Sequence, residues 1–416
     1  MNATVGILAI AVLATAGVII RPWRLPEAVW AVAGALLLIG LGLLSWRDAI
    51  TGVRRGTDVY LFLTGMMLLA ELARQEGLFD WLAAKAARAA RGSATRLFTL
   101  IYIVGTVVTV FLSNDATAVV LTPAVAAVAR ASSAKEPLPY LLICAFIANA
   151  ASFVLPISNP ANLVIYGAHM PPLLAWLPLY ALPSALSIGA TYVVLRLTQR
   201  HCLRQPISAD VATPTLSGGG RLAGWGIVAT SLALLAASGF GVPLGLPTFL
   251  AGLATAALVF CRSNFSPMQT LENLTWGVLP LVAGLFVLVE ALEKIGATEA
   301  LAALLQSLVQ GSATFAAWAS GVVLAVGCNL VNNLPAGLVA GRVVAAANAP
   351  EHVRAAVLIG VDLGPNLSVT GSLATILWLA ALRRDGYHVS TWTFLKLGAV
   401  VMPPALLLAI AAALIE

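Results

Sequence analysis

Residues 111–125 read FLSNDATAVVLTPAV, an Asn-Asp pair flanked by Ser113 and Thr117 inside a long apolar run. Such a pair is costly in hydrocarbon unless something satisfies it. The rest of the chain says what surrounds it. The 416 residues are 60% hydrophobic and 10% charged, against about 25% charged in a soluble domain. Mean hydropathy is +0.95. Apolar runs long enough to span a bilayer recur from residue 3 to residue 415. The fold class expected is an all-α polytopic membrane protein.

In such a chain the net charge of +6 is read loop by loop and carries no nucleic-acid signal. The run 3–20 is followed, not preceded, by basic residues (Arg21 and Arg24), so it is read as an uncleaved first span. Cys144, Cys202, Cys261 and Cys328 form no CxxC and no His-paired cluster, so neither a disulfide framework nor a metal site is expected. No GxxxxGK[ST] is present, so no ATPase is expected in the chain itself, and no cofactor.

Working outward from the Asn-Asp pair, the chain divides in two. The polar stretch 198–221, TQRHCLRQPISADVATPTLSGGGR, reads as a linker between repeats over 1–197 and 222–416. Gly65 and Gly284, Glu71 and Glu290, and Gly77 and Gly296 are all 219 residues apart, and the same offset carries Asn114 to Asn333. Internal repeats with interrupted helices mark many transporters. The segments 97–130 and 312–347 are too long for one span of about 20 residues. Each carries its polar cluster near the middle, which suits a re-entrant hairpin. With two hairpins there are ten crossings, and 17 of the 23 Lys and Arg fall on the inside when the N-terminus is outside; twelve crossings split them 11 to 12. The positive-inside rule selects the first arrangement. Both termini are then outside. Five crossings per half is odd, so the second repeat is inverted. Arg47, Arg54 and Arg55 stand as exceptions on the outside.

Four polar islands interrupt the apolar runs: Ser113-Asn114-Asp115, Ser158-Asn159-Pro160-Ala161-Asn162, Asn332-Asn333-Leu334-Pro335, and Asp362 to Asn366 running on to Thr370-Gly371-Ser372. The first and third are the expected hairpin tips; the second and fourth fall inside broken helices over about 138–168 and 353–380. Irregular backbone at membrane depth is tolerated only in protein or beside a watery cavity. Half-helix N-termini created by such breaks point partial positive charge inward. Meeting at the midplane, the islands would form one polar chamber. Its candidate substrate ligands are Asn114, Ser158, Asn159, Asn162, Asn332, Asn333, Thr370 and Ser372. Its candidate proton carriers are Asp115 and Asp362, since an acid in a span is functional by default. Glu71, with Arg74 at i+3, and Glu290, with Lys294 at i+4, are read instead as local ion pairs.

At these islands the chain resembles the ArsB family of bacterial arsenite efflux permeases, within the ion-transporter superfamily. The likeness rests on SNDATAVVLTP (113–123), IANAASFVLPISNPANLV (147–164), VNNLPAGLVAG (331–341) and IGVDLGPNLSVTGSLATILW (359–378). It implies export of arsenite, and of antimonite, across the bacterial inner membrane by proton antiport. It implies in some cases a separate ATPase partner, and it implies the superfamily's inverted-repeat fold with hairpins. In the family pattern an Asp stands at Asn149 and a Lys at Asn366; both charges are absent here, and an amide pair in place of an ion pair is one reading.

Arsenous acid is small, neutral at pH 7 and carries three hydroxyls, which amides, hydroxyls and an acid can bind. A dicarboxylate pocket, for a sodium- or proton-coupled carrier, would need Arg or Lys, and none falls in the four islands. An intramembrane aspartyl protease using Asp115 and Asp362 is the reading from another class; here Asp362 stands in GVDLG, not GxGD. Cys328 offers a soft thiolate ligand for As(III), but a lone buried Cys is more often a small core residue.

Overall fold

A computed structural model describes residues 3–167, 170–263 and 265–415. Ala168, the last residue of the expected broken helix, and the outermost residues 1, 2 and 416 lie outside the described residues. The helices fall into two series. The first holds α1 (Ala3–Ile20), α2 (Glu27–Gly40), α3 (Trp46–Arg55), α4 (Thr57–Gln75), α5 (Leu78–Ala90), α6 (Ala94–Phe111), α7 (Thr122–Ala131), α8 (Leu138–Ala150), α9 (Pro160–Tyr166) and α10 (Leu173–Thr198). The second holds α11 (Gly218–Gly239), α12 (Gly245–Phe260), α13 (Pro267–Asn273), α14 (Val278–Lys294), α15 (Ala297–Gly311), α16 (Ala313–Val331), α17 (Asn333–Ala346), α18 (Glu351–Leu363), α19 (Leu373–Arg384) and α20 (Thr391–Ala413). Adding 219 to the bounds of α4 gives 276–294, which is α14 within two residues. The bends match as well: α3 meets α4 at 47° and α13 meets α14 at 43°. The fold is all-α, with two repeats of ten α-helices each among the described residues.

Hydrogen bonds show that the first long polar-centred segment is a hairpin. Ile207 N–H donates to Gly92 O at 3.2 Å, and the next residue, Ser208, donates its N–H to Ser132 O at 2.8 Å. Gly92 precedes α6 and Ser132 follows α7, so both ends of the segment lie on one face, beside the same two linker residues. The tip falls at residues 112–115, where Ser113 opens a new helix. Pro123 has no N–H to give Val119 O, and the turn before it widens into a π-helical stretch, Ala116–Leu121. In the second repeat Gln306 of α15 donates to Ala347 O at 3.4 Å, just past the end of α17. Ser312, where α16 starts, is six residues along, so this segment is also a hairpin.

The halves are locked by a reciprocal exchange. A Cβ at Gly65 in α4 would lie 2.5 Å from Thr248 O in α12, and a Cβ at Gly284 in α14 would lie 2.7 Å from the Ala31 carbonyl carbon in α2. Each repeat thus seats the second helix of the other against a glycine, the close approach that small residues permit between membrane helices.

Ion pairs revise one expectation from the sequence. Glu71 does pair with Arg74, at 2.6 Å. Glu290 does not pair with Lys294: it lies 2.5 Å from Arg55, while Lys294 pairs with Asp48. Four residues along α14 does not bring the lysine to the glutamate, because α3 of the other repeat lies between them and offers each its own partner. Arg55, an exception to the charge rule, is thereby neutralised.

Candidate functional site

Every break is held by a side chain from its own island. Ser113 Oγ accepts from Ala116 N–H at 3.2 Å, Asn159 Oδ1 from Ala161 N–H at 3.0 Å, Asn332 Oδ1 from Leu334 N–H at 3.3 Å, and Ser372 Oγ from Ala374 N–H at 3.2 Å. These are N-caps, each a contribution of about 1 kcal/mol. Asn332 is also strained, with φ 71° and ψ 152°, a region close to glycine-only.

The two broken helices meet at Asp362. Its Oδ1 accepts from Asn159 Nδ2 at 2.8 Å and its Oδ2 lies 2.7 Å from Ser152 Oγ, both partners belonging to the first repeat. Beside it, Asn149 Nδ2 donates to Asn366 Oδ1 at 3.0 Å, and Asn366 Nδ2 donates to Phe146 O at 3.0 Å. The two positions where the family pattern would place opposite charges are joined as amides. Asp362 is fully buried and makes no ion pair among the described residues.

The other island residues divide by what their polar atoms touch. Ser158 Oγ donates to Val110 O at 2.9 Å, tying the break to hairpin arm α6. Asn162 Nδ2 faces three carbonyls of the same break, those of Ser152, Leu155 and Pro156. Thr370 Oγ1 donates to Asn329 O at 2.9 Å, and Asn332 Nδ2 to Thr370 O at 3.4 Å. Asn114 Oδ1 accepts from Asp115 N–H at 2.9 Å. The amide nitrogen of Asn114 and the whole side chain of Asn333 have no partner among the described residues.

A cavity of about 700 Å³ reaches this centre from one face. Met66, Met67 and Ala70 of α4, Ser113 and Asp115 of the hairpin tip, Val119, Pro160, and Leu377 and Ala380 of α19 form its walls. Glu71, Arg74, Arg384 and Asp385 line it towards the face that carries the linker. Asp115 is part-exposed in this wall, and its carboxylate makes no hydrogen bond or ion pair among the described residues. Asp362 stands one layer behind, reached through Asn159, the neighbour of cavity-lining Pro160. Cys328 does not reach the cavity: it is buried, with its Sγ 3.7 Å from Val361 O.

Ser152 and Asn329 carry as much of this network as any island residue, and neither stood out in the sequence. Ser152 is a lone serine in an apolar run. Asn329 lies on a hairpin arm, where its Nδ2 donates to Gly364 O at 3.1 Å and its Oδ1 accepts from Ser368 Oγ at 2.7 Å.

A family model described as citrate transporter (CitMHS) matches residues 10–363. Among curated proteins, an arsenical pump membrane protein of Yersinia enterocolitica is 29% identical over 374 residues, 83% of each chain. Another, from Escherichia coli, is 26% identical over 431 residues, 97% of each chain. An uncharacterised transporter of Mycobacterium tuberculosis is 26% identical over 427 residues, 97% of this chain and 96% of that one. The likeness to arsenite permeases read from the islands thus extends along nearly the whole sequence. Of solved structures, the YdaH transporter of Alcanivorax borkumensis superposes with a TM-score of 0.57 at 17% identity, over 88% of this chain and 86% of that one. MtrF of Neisseria gonorrhoeae gives 0.54 at 14%, over 91% and 83%. At these identities the structures share the fold alone.

Proposed function

The chain belongs to the CitMHS citrate transporter family, and on that premise we propose that it exports trivalent arsenic from the cytoplasm in exchange for protons. The observation that carries this reading is the charge at the inner end of the cavity. Asp115 stands there without an ion-pair partner among the described residues. The lining as a whole holds Arg74 and Arg384 against Glu71, Asp115 and Asp385. A citrate or dicarboxylate would meet net negative charge and, beside Asp115 at the inner end, no lining Arg to clamp a carboxylate. Neutral arsenous acid suffers no such repulsion, and antimonous acid has the same form. Several relatives of similar length are named arsenical pump membrane proteins.

In this mechanism the face rich in Arg and Lys is cytoplasmic, both termini are outside, and the membrane is the bacterial inner membrane. The repeats 1–197 and 222–416 move about the linker 198–221. Arsenous acid enters the cavity and exchanges hydrogen bonds with the free groups of Asn114 and Asn333. Ser158, Asn159, Asn162, Asn332, Thr370 and Ser372 frame the site, Asn159, Asn332 and Ser372 by capping its helices and the others by bonding backbone carbonyls. Asp115 takes the proton that enters against the solute, and Asp362 is the second station. Export of a neutral solute against its gradient needs that input.

Everted membrane vesicles test the reading. Arsenite uptake should follow an acid-inside gradient and collapse on adding an uncoupler. Vesicles that take up a carboxylate and ignore arsenite would sink it. Asp115→Asn should abolish coupled uptake in a protein that still runs as a single species in detergent; full activity in that variant would make Asp115 structural.

A further inference from the structure

Residues lining the open cavity have counterparts at the repeat offset of 219, later in the chain for the first repeat and, for Leu274, earlier. The counterparts face the opposite side of the membrane, and there an ion network stands. Arg55 reaches both Glu290, at 2.5 Å, and Glu293, at 2.7 Å, and Arg342 reaches Glu293 at 3.4 Å. The repeat positions of Arg55, Glu293 and Arg342 are Leu274, Arg74 and Pro123, and all three of those line the open cavity. The side that is open thus has no bridge at these positions, since Arg74 pairs within its own helix. The side that is closed has a three-membered bridge joining α3, α14 and hairpin arm α17.

We propose that α14, α17 and α9 enclose a second, closed vestibule, the exit path for the solute, with Arg55, Glu293 and Arg342 as its gate. The packing beneath the gate is tight. Leu338, the counterpart of cavity-lining Val119, is 2% exposed. A Cβ at Gly341 would lie 2.8 Å from Ile165 Cα, so α17 rests on α9 backbone to backbone. The network is partly sheltered, with side-chain exposure from 11% at Glu290 to 38% at Arg55. Glu293 serves both cations; its loss would free Arg342 and leave Arg55 on Glu290 alone. Inverted repeats exchange conformations when such transporters alternate access. Opening the closed side therefore requires Arg342, on the hairpin, to leave Glu293, on the scaffold.

The inference rests on the chain being a transporter and not on which solute it carries, so its test uses none. In a Cys202→Ser, Cys261→Ser background, Leu338→Cys reports the closed vestibule and Val119→Cys the open one. A membrane-impermeant maleimide is applied to each face in turn, using right-side-out and everted vesicles. Labelling of Leu338→Cys from the Arg55 face should be slow. Adding Glu293→Gln or Arg342→Gln should raise its rate about fivefold or more, the shift expected from losing the ion pair between hairpin and α14. Labelling of Val119→Cys from the other face should fall in step. Raising salt from about 0.01 M to about 1 M screens the network without any mutation and should move both rates the same way. Rates that stay fixed under salt and in whichever gate variants reach the membrane would overturn the gate. Loss of arsenite transport with these labelling shifts intact would fault only the substrate.

Discussion

Ser152 Oγ lies 2.7 Å from Asn149 O and 2.7 Å from Asp362 Oδ2, yet a hydroxyl carries one proton. With Asp362 ionised, one of the two acceptors goes without it. With Asp362 protonated, the acid donates to Ser152, Ser152 donates to Asn149 O, and every bond is made. The serine therefore accommodates either state, turning its proton as Asp362 gains or loses one. Ser152→Ala removes a donor from the ionised acid, a bond worth about 1.5–3 kcal/mol. Proton release is then impeded. We expect coupled uptake at neutral pH to fall about tenfold or more, with a displaced pH profile, and Ser152→Thr to restore most of it. Equal losses in both variants at every pH would mean a packing role only. Asp115 and Asp362 were legible because acids are rare in apolar runs. Ser152 was not, because serines in membrane helices commonly bond their own backbone, and only the folded chain brings Asp362 opposite.

At the scale of elements, apolar content located α1, α6, α10, α11, α16 and α20, the six single helices among the described residues that are long and apolar enough to cross a membrane. Missed were α3, α5, α13 and α15. Each carries charged or polar residues every turn, as in WRDAITGVRR over 46–55, and none has the apolar length of a span. Both hairpins were legible, through charge: ten crossings place 17 of the 23 basic residues on one face, and twelve split them almost evenly. Invisible was the partner of each helix. Gly65 marked the repeat, but nothing in its sequence says that α12 lies on it. Gly65→Ala sets a Cβ against Thr248 O and should destabilise the protein by about 1–3 kcal/mol, the usual range for overpacking. Gly327→Ala, on α16 where a Cβ meets nothing within 4 Å, should leave stability unchanged or improved. Thermal unfolding in detergent, followed by tryptophan fluorescence, separates the two; equal midpoints would mean that the glycine seat carries no weight.

At the scale of the molecule, the inner and outer halves of the membrane are treated differently by one repeated design. The first hairpin carries Asp115 at its tip and the second carries Leu334 at the same repeat position. One face holds an open cavity and the other an ion network. The linker adds to the asymmetry, because residues 207 and 208 staple the base of the first hairpin only. The repeats are therefore related in shape and not in role. Residues 1–197 and 222–416 expressed apart should each fail to accumulate, and should recover vesicle uptake when expressed together. Stable accumulation of either half alone would argue against the exchange of helices between them.

That exchange also sets an order of events at birth. The glycine face of α4 leaves the ribosome early, yet the helix that fits it, α12, begins about 180 residues later. At about 5–20 residues per second, α4 waits roughly ten to forty seconds in the lipid before its partner arrives. During that time the lateral face of a half-made protein is exposed to whatever else is inserting nearby. A cell that makes this chain therefore needs an insertase that holds the early helices together until α12 arrives.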